Sequence, residues 1–188
     1  VLLAPLLDDP VRTVRMEAAN ALAGAMTGAT PAQQSAFDKA AAEFIAAQRF
    51  NADTAEARTT LGSFLANLGR TREAEQQLKA AIALDPSFVG AYANLADLYR
   101  VLGRDAEGEG LLLEALRRAP SSAELQHTHG LLLVRLDRKP EALAAFARAA
   151  KLAPGNARFA YVHAVALDSA GNSKAALAEI RRVLPSNP

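Results

Sequence analysis

A proline recurs every 34 residues through most of this 188-residue chain, at Pro86, Pro120, Pro154 and Pro188. Each proline closes a segment whose pattern of small and large apolar residues repeats the segment before it. A fixed period of this length indicates stacked helical hairpins, in which each unit packs only against its neighbours. The period therefore predicts a helical array with a ribbon-like core.

Each period divides into two helical stretches at a shared position, which holds Gly69, Gly103, Asp137 and Gly171. Glycine just beyond a helical pattern allows the positive φ of a helix end, and aspartate tolerates it next best. No segment alternates as a half-buried strand does. We therefore predict an all-α chain. Its helices are expected at residues 54–68, 71–84, 87–102, 105–118, 122–136, 139–152, 156–170 and 173–184.

Two of these helices begin near a capping pattern. Asp53 is followed three residues later by Glu56, and Ser121 by Glu124. In a capping box the first residue accepts a hydrogen bond from the backbone amide three residues on. The spacing therefore predicts Asp53 and Ser121 as N-caps.

Small residues also recur in register at three places per period, where two helices are expected to cross closely. They are Gly62, Ala96, Gly130 and Ala164; Ala74, Gly108, Ala142 and Ala176; and Ala81, Ala115, Ala149 and Val183. This pattern resembles the tetratricopeptide repeat, a 34-residue helix–turn–helix. The resemblance implies an α-solenoid of antiparallel helical hairpins with repeats at 55–88, 89–122, 123–156 and 157–188. It also implies a non-enzymatic scaffold for protein–protein interaction.

The first residues do not continue this signature. Residues 10–22 place apolar side chains on one helical face after an Asp-Asp-Pro turn, with Pro10 expected at the first helical position. This segment resembles the second helix of a HEAT repeat, so residues 1–30 are assigned as HEAT-like. Thr30-Pro31 is expected to start a helix that runs to about Arg49. Residues 31–54 then form a degenerate repeat at the junction.

The composition excludes several function classes. The 21 basic and 20 acidic residues give a net charge of +1 without a long cluster of one sign, which argues against nucleic acid as a partner. Cysteine is absent, so thiolate metal sites and covalent haem attachment are excluded within this chain. No apolar run reaches the roughly 18 residues that a membrane span needs. We expect no cofactor in this chain.

Three histidines are the candidates for metal or catalytic chemistry. His127 and His129 are two residues apart on a helix and therefore point to different faces, and His163 follows His129 by one period. A metal would need a third ligand, which the sequence does not supply beside them. The serines stand at caps, turns and an exposed helix position, without a base-and-nucleophile motif. We therefore predict structural histidines and no enzyme activity.

The resemblance places the functional surface on the concave side of the solenoid, which the first helix of each repeat lines. The predicted groove residues are Thr59, Ser63, Asn67, Asn94, Asp97, Arg100, His127, Leu131, Val134, Arg135, Arg158, Tyr161, Val165 and Asp168.

The last two repeats supply an apolar strip to this groove, formed by Leu131, Val134, Tyr161 and Val165. Arg135 and Arg158 border the strip. An apolar strip beside guanidinium groups predicts binding of an extended or helical peptide that has apolar anchors and one carboxylate. The alternative is that Tyr161 and Val165 merely pack against neighbouring helices.

Some tetratricopeptide proteins bind acidic chaperone tails through a clamp of Lys, Asn and Arg side chains. The equivalent positions here hold Thr59, Ser63, Asn94, Glu124 and Thr128, and Asn94 alone agrees with the clamp. The sequence therefore predicts no binding of this kind.

Two further roles stay open. An apolar face on the last helix, at Leu177, Ile180, Val183 and Leu184, is expected to pair with a second copy, which predicts a homodimer. The junction of HEAT-like and tetratricopeptide-like segments also resembles the C-terminal region of bacterial multihaem cytochrome c proteins. That resemblance implies a docking or assembly module in the periplasm; without it, the chain is assigned to the cytoplasm. The identity of the partner cannot be read from the sequence.

Overall fold

The computed structural model describes residues 2–184, so Pro188 lies outside the described residues. This range contains a short 3-10 helix at Ala4–Asp8, ten α-helices and no strand. The α-helices are α1 (Arg12–Leu22), α2 (Pro31–Phe50), α3 (Ala55–Asn67), α4 (Thr71–Leu84), α5 (Val89–Val101), α6 (Asp105–Arg118), α7 (Ala123–Arg135), α8 (Lys139–Leu152), α9 (Ala157–Ser169) and α10 (Ser173–Val183). The predicted all-α fold is confirmed, and the helix ends differ from the predicted ones by at most two residues. None of the described helices combines the length and the apolar character needed to cross a lipid bilayer.

The predicted residues at the turns inside the hairpins are confirmed. Gly69, Gly103 and Gly171 have φ values of 74°, 70° and 80°, and Asp137 at the same position has a φ of 56°. An L-residue is strained in this region of φ, whereas glycine is not. The helix-ending residue is therefore the feature that fixes where each hairpin reverses.

The predicted caps are wrong by one residue. The Thr54 hydroxyl, and not Asp53, accepts the hydrogen bond from the Ala57 amide at 3.2 Å. The Ser122 hydroxyl, and not Ser121, accepts that of Leu125 at 3.3 Å. Thr54 and Ser122 are the last residues with extended backbone before the helical dihedral angles begin, which is the geometry an N-cap requires.

Pro10 also lies earlier than predicted. Val11 is the N-cap residue of α1, so the helix starts at Arg12 and Pro10 stands before the cap. The Asp9 carboxylate accepts a hydrogen bond from the Val11 amide at 2.8 Å and keeps this residue extended. The Asp8-Asp9-Pro10 turn therefore precedes the N-cap residue and is not part of the helix.

Three hairpin turns carry the same ion pair. The Arg70, Arg104 and Arg138 side chains each donate to the glutamate three residues later, at distances of 2.7, 2.6 and 2.7 Å. Each arginine is the N-cap residue of the second helix of its hairpin. The pairs are exposed to solvent, which screens the attraction between the two charges. Each ion pair connects the N-cap residue at the hairpin turn to the first turn of the second helix.

The chain divides into two compact units, and the boundary in the sequence falls within α5, between Asn94 and Leu95. In the first unit the Arg15 guanidinium binds the Glu43 carboxylate at 2.9 Å and joins α1 to α2. The rings of Phe44 and Phe64 pack with centroids 4.5 Å apart and join α2 to α3. The N-terminal helices therefore share a core with the first hairpin.

The second unit contains α6 to α10. Its central contact is between Gly130 of α7 and Phe146 of α8, where a Cβ on the glycine would stand 2.5 Å from a ring carbon. The buried cluster around this contact consists of Leu133, Ala142, Ala145 and Phe146, with Val162 and Ala166 packed against it. This packing brings α7, α8 and α9 together at the site described next.

Candidate functional site

An apolar cleft of about 480 Å³ lies between α7, α8 and α9 in the second unit. Its bottom includes Ala142 and Phe146 of α8, which are buried. The residues that line it are Leu131, Val134, Lys139, Pro140, Ala142, Leu143, Phe146, Val162, Val165, Ala166, Ser169 and Ala170. Clefts of about 300 to 1,000 Å³ with mainly apolar walls are typical of ligand sites.

The apolar strip predicted from the sequence lies beside and within this cleft. Leu131, Val134 and Val165 line it and are 44%, 48% and 47% exposed, and Tyr161 is 61% exposed one turn before Val165. Tyr161 and Val165 therefore do not merely pack against neighbouring helices, because about half or more of each remains accessible. The side chains on the opposite face of α7, including Leu132 and Leu133, form the core.

Two of the predicted groove residues are buried, which corrects their assignment to the groove surface. The Thr59 hydroxyl donates to the Ala55 carbonyl of its own helix at 2.8 Å. The His127 ring lies against the rings of Phe146 and Phe159, with centroids 5.8 and 4.9 Å away. A partner cannot contact either side chain while the helices keep this packing.

The buried histidines have unusual surroundings. Burial lowers the pKa of His127, and the positive charge of Arg158 lowers it further. Burial also lowers the pKa of His129, although the Glu109 carboxylate, 3.8 Å from its Nε2, acts in the opposite direction. Within residues 2–184, Nδ1 of His127 and both ring nitrogens of His129 lack hydrogen-bond partners. Burial therefore favours the neutral form of both rings.

His163 has a setting similar to that of His129, because its Nδ1 lies 3.5 Å from the Glu179 carboxylate, which is also bound by Arg182. The three groups line a second, more open cleft of about 330 Å³ between α8, α9 and α10. In the part of the chain that the structure describes, no three His, Asp or Glu side chains are arranged to hold a metal ion.

The two arginines beside the strip are already paired within the unit, contrary to the expectation that both face a ligand. Arg135 donates from Nε and Nη2 to Asp105 at 3.1 Å each. Arg158 donates from Nη2 alone to the two Glu124 oxygens at 3.0 and 2.8 Å. The sequence did not reveal these pairs because the partners lie about one repeat apart.

The remaining predicted groove residues are polar. Asn67 is exposed, and the others take part in hydrogen bonds within the chain. In the first unit, Asn94 donates to the Ser63 hydroxyl at 2.7 Å and links α5 to α3. In the second unit, Arg100 donates to Asp97 at 2.6 Å. Ser173 donates to Asp168 at 2.5 Å. These residues lie in two separate units and form no apolar surface.

The predicted groove residues include three of the twelve residues that line the cleft, Leu131, Val134 and Val165. Lys139, Pro140 and Leu143 lie on the second helix of their repeat, and the resemblance assigned the groove to first helices alone. Val162 and Ala166 lie on α9 but fall between the groove positions of the family. The available signal was the apolar spacing of Val162, Val165 and Ala166 along one helical face.

Solved structures similar to this chain share its fold. A tetratricopeptide repeat protein of Thermus thermophilus, TTC0263, is 24% identical, with a TM-score of 0.67 over 92% of each chain. A structure of MamA is 19% identical, with a TM-score of 0.61 over 81% of this chain and 90% of that one. MamA residues 41 to the end from Desulfovibrio magneticus RS-1 are 15% identical, with a TM-score of 0.58 over 91% and 94%. No curated protein matches the chain.

The sequence pattern of one family also matches. The tetratricopeptide repeat pattern covers residues 59–123 and 127–188, which is more than half of the chain. It does not reach the first 58 residues, so the HEAT-like assignment of residues 1–30 stays a prediction. All the residues that line the apolar cleft lie within the second matched range. The chain therefore belongs to the tetratricopeptide repeat family.

Proposed function

We propose that the second unit binds a segment of a partner protein and takes an apolar side chain of that segment into the apolar cleft. The general role, a scaffold for protein interaction, follows from membership of the tetratricopeptide repeat family. Proteins of this family are generally non-enzymatic, and the proposed role needs neither a catalytic residue nor a cofactor.

The observation that carries the proposal is the exposed apolar strip beside a concave cleft. Its four side chains are each 44% to 61% exposed, next to a cavity of about 480 Å³. A contiguous apolar patch of this kind on a protein surface is typical of an interaction site. Two cations near the cleft are already paired, Arg135 with Asp105 and Lys139 Nζ with the Asp137 carboxylate at 3.3 Å. The cleft therefore favours an uncharged side chain as the anchor of the bound segment.

The proposal predicts that a charge on the cleft wall weakens binding. Peptides selected on the wild-type chain from a random displayed library serve as probes, and their affinities are measured by fluorescence anisotropy. Val165→Asp is expected to weaken binding at least about tenfold, because a carboxylate in an apolar contact loses its hydration without gaining a partner. Leu177→Asp is the matched control, since Leu177 is 57% exposed on α10 and does not line the cleft.

Circular dichroism and thermal unfolding establish that both variants are folded. Equal affinities of the wild-type chain and a folded Val165→Asp variant would contradict the proposal. An equal loss in the Leu177→Asp variant would place the binding surface elsewhere.

Two alternatives stay predictions. A docking role beside a haem domain would use the same kind of protein contact, and this chain has no cysteine for haem attachment. Self-association would use a narrower face of α10 than predicted, because Leu177 and Leu184 are exposed but Val183 is 6% exposed and Ile180 is half-buried. We expect a molar mass that rises with protein concentration in light scattering if these leucines pair; a constant monomer mass would contradict it.

A further inference from the structure

We infer that the segment bound in the apolar cleft also carries a carboxylate, which contacts Arg158 about 10 Å from the apolar anchor. The inference rests on the proposed function and adds a second, charged determinant to it. It selects Arg158 from the two arginines that border the apolar strip.

Arg158 is the arginine with more donors available. Its side chain is 58% exposed, and its bonds to Glu124 use Nη2 alone. Among the described residues, no hydrogen bond is made by Nε or Nη1 of Arg158. Arg135 instead uses Nε and Nη2 together on Asp105, which leaves Nη1. A guanidinium carries five N–H donors, so Arg158 can hold Glu124 and a ligand carboxylate at the same time.

The Arg158 guanidinium is also held in place. Its central carbon lies 5.1 Å from the Phe159 ring centroid, within the range of a cation–π contact. The bonds to Glu124 reach from α9 to α7 and so fix the guanidinium between the first helices of two successive repeats. A group fixed in this way loses less conformational entropy when it binds a ligand.

The electrostatic surroundings favour an anion even though Glu124 is near. Glu124 carries one negative charge that offsets the positive charge of Arg158. The first turns of α7 and α9, which begin at Ala123 and Ala157, lie beside this pair. The partial positive charge at the start of a helix attracts anions, so both helices add to the attraction.

The helix geometry sets the spacing. Arg158 precedes Val162 by one turn and Val165 by seven residues, and seven residues of α-helix span about 10 Å. An extended peptide rises about 3.3 Å per residue. We therefore expect the acidic residue about three positions from the apolar anchor.

The test uses synthetic alanine–serine peptides that carry one phenylalanine and one glutamate, separated by one to six positions, with matched glutamine peptides as controls. Affinities are measured by fluorescence anisotropy on the full chain. We expect the tightest binding at a separation of about three. Arg158→Gln should weaken binding of that peptide about fivefold and leave its glutamine counterpart unchanged, as for an exposed ion pair. Glu124→Gln should strengthen it, and Arg135→Gln should have no selective effect.

Several outcomes would overturn the inference. One is equal loss of the glutamate and glutamine peptides in the Arg158→Gln variant; another is weaker binding of the glutamate peptide in the Glu124→Gln variant. If binding responds to Val165→Asp but not to Arg158→Gln, the apolar cleft is the site and the carboxylate contact is wrong. If no peptide responds to Val165→Asp, the proposed function fails as well.

Discussion

Gly130→Ala is expected to lower the free energy of unfolding of the second unit by about 1 to 2 kcal/mol, the cost of overpacking less the gain in helix preference from alanine. The new Cβ would stand 2.5 Å from one carbon of the Phe146 ring and 2.6 Å from the next. Carbon atoms in contact are normally about 3.5 to 4 Å apart. Phe146 is 2% exposed and packs against His127, so its ring has little room to move.

Gly110→Ala is the matched control for this substitution. Gly110 also lies inside a helix, but among the described residues no atom lies within 4 Å of the position of its Cβ, apart from its chain neighbours and the backbone of its own helix. We expect a gain of up to about 1 kcal/mol, since alanine favours the helix over glycine. Urea unfolding of both variants gives the two free-energy changes. A Gly130→Ala variant as stable as the wild-type chain would contradict the close contact.

A second substitution tests the cause of the loss. The position of Phe146 holds leucine in the two preceding repeats, as Leu78 and Leu112. In the repeat that contains Leu112, the position of Gly130 holds alanine, Ala96, so leucine and alanine occur together there. Phe146→Leu should therefore recover part of the stability when Gly130→Ala is present. A double-mutant cycle measures this coupling, and strictly additive effects would show that the ring is not the obstacle.

Acidification from pH 7 to pH 5 is expected to destabilise the second unit. Burial lowers the pKa of both His127 and His129 below the ordinary value of about 6.5. The unfolded chain then binds protons at a pH where the folded chain does not, so stability falls as the pH drops below about 6.5 towards the folded pKa. The slope is at most about 1.4 kcal/mol per pH unit for each histidine.

The carboxylates change the free energy of unfolding at lower pH than the histidines do. The arginine partners of Glu73, Glu141 and Glu179 lower the pKa of each carboxyl group below 4.5. Their stabilisation is lost as the pH falls from about 4.5 through the folded pKa. Unfolding measurements at pH 7, 6 and 5 therefore lie above the range in which these three carboxylates lose their stabilisation.

His129→Leu separates one histidine from the other. Leucine stands at this position in the first two repeats, as Leu61 and Leu95, and both are buried. The variant should gain about 1 kcal/mol at pH 7, because two buried ring nitrogens without partners are removed. The free energy of unfolding of the variant should also depend less steeply on pH, because the contribution of His129 is removed. An unchanged pH slope would show that His129 does not titrate between folded and unfolded states.

Local chemistry made the helices predictable from the sequence. Gly69, Gly103, Asp137 and Gly171 end helices through their own backbone preference, so their positions alone locate the turns. The N-cap residues were harder to predict. Asp53 and Thr54 are both good capping residues, and which of them caps the helix depends on where the extended backbone ends.

The site was less predictable because it depends on contacts between helices. Whether Tyr161 is exposed and His127 is buried depends on how α7, α8 and α9 pack, although both residues occupy groove positions in the family pattern. The pairing of Arg135 with Asp105 joins residues 30 apart in sequence. A helical pattern gives the face on which a residue lies but not the charge that faces it from the next hairpin.

The ion pairs at the hairpin turns have a consequence for how such a chain can change in length during evolution. Arg104 and Glu107, like Arg138 and Glu141, belong to the same turn, so a crossover between equivalent positions of two repeats keeps each pair intact. In the fourth hairpin, Asn172 fixes the turn by accepting from the Ala175 amide, also three residues away. Unequal recombination can therefore insert or remove a whole 34-residue segment without opening a turn.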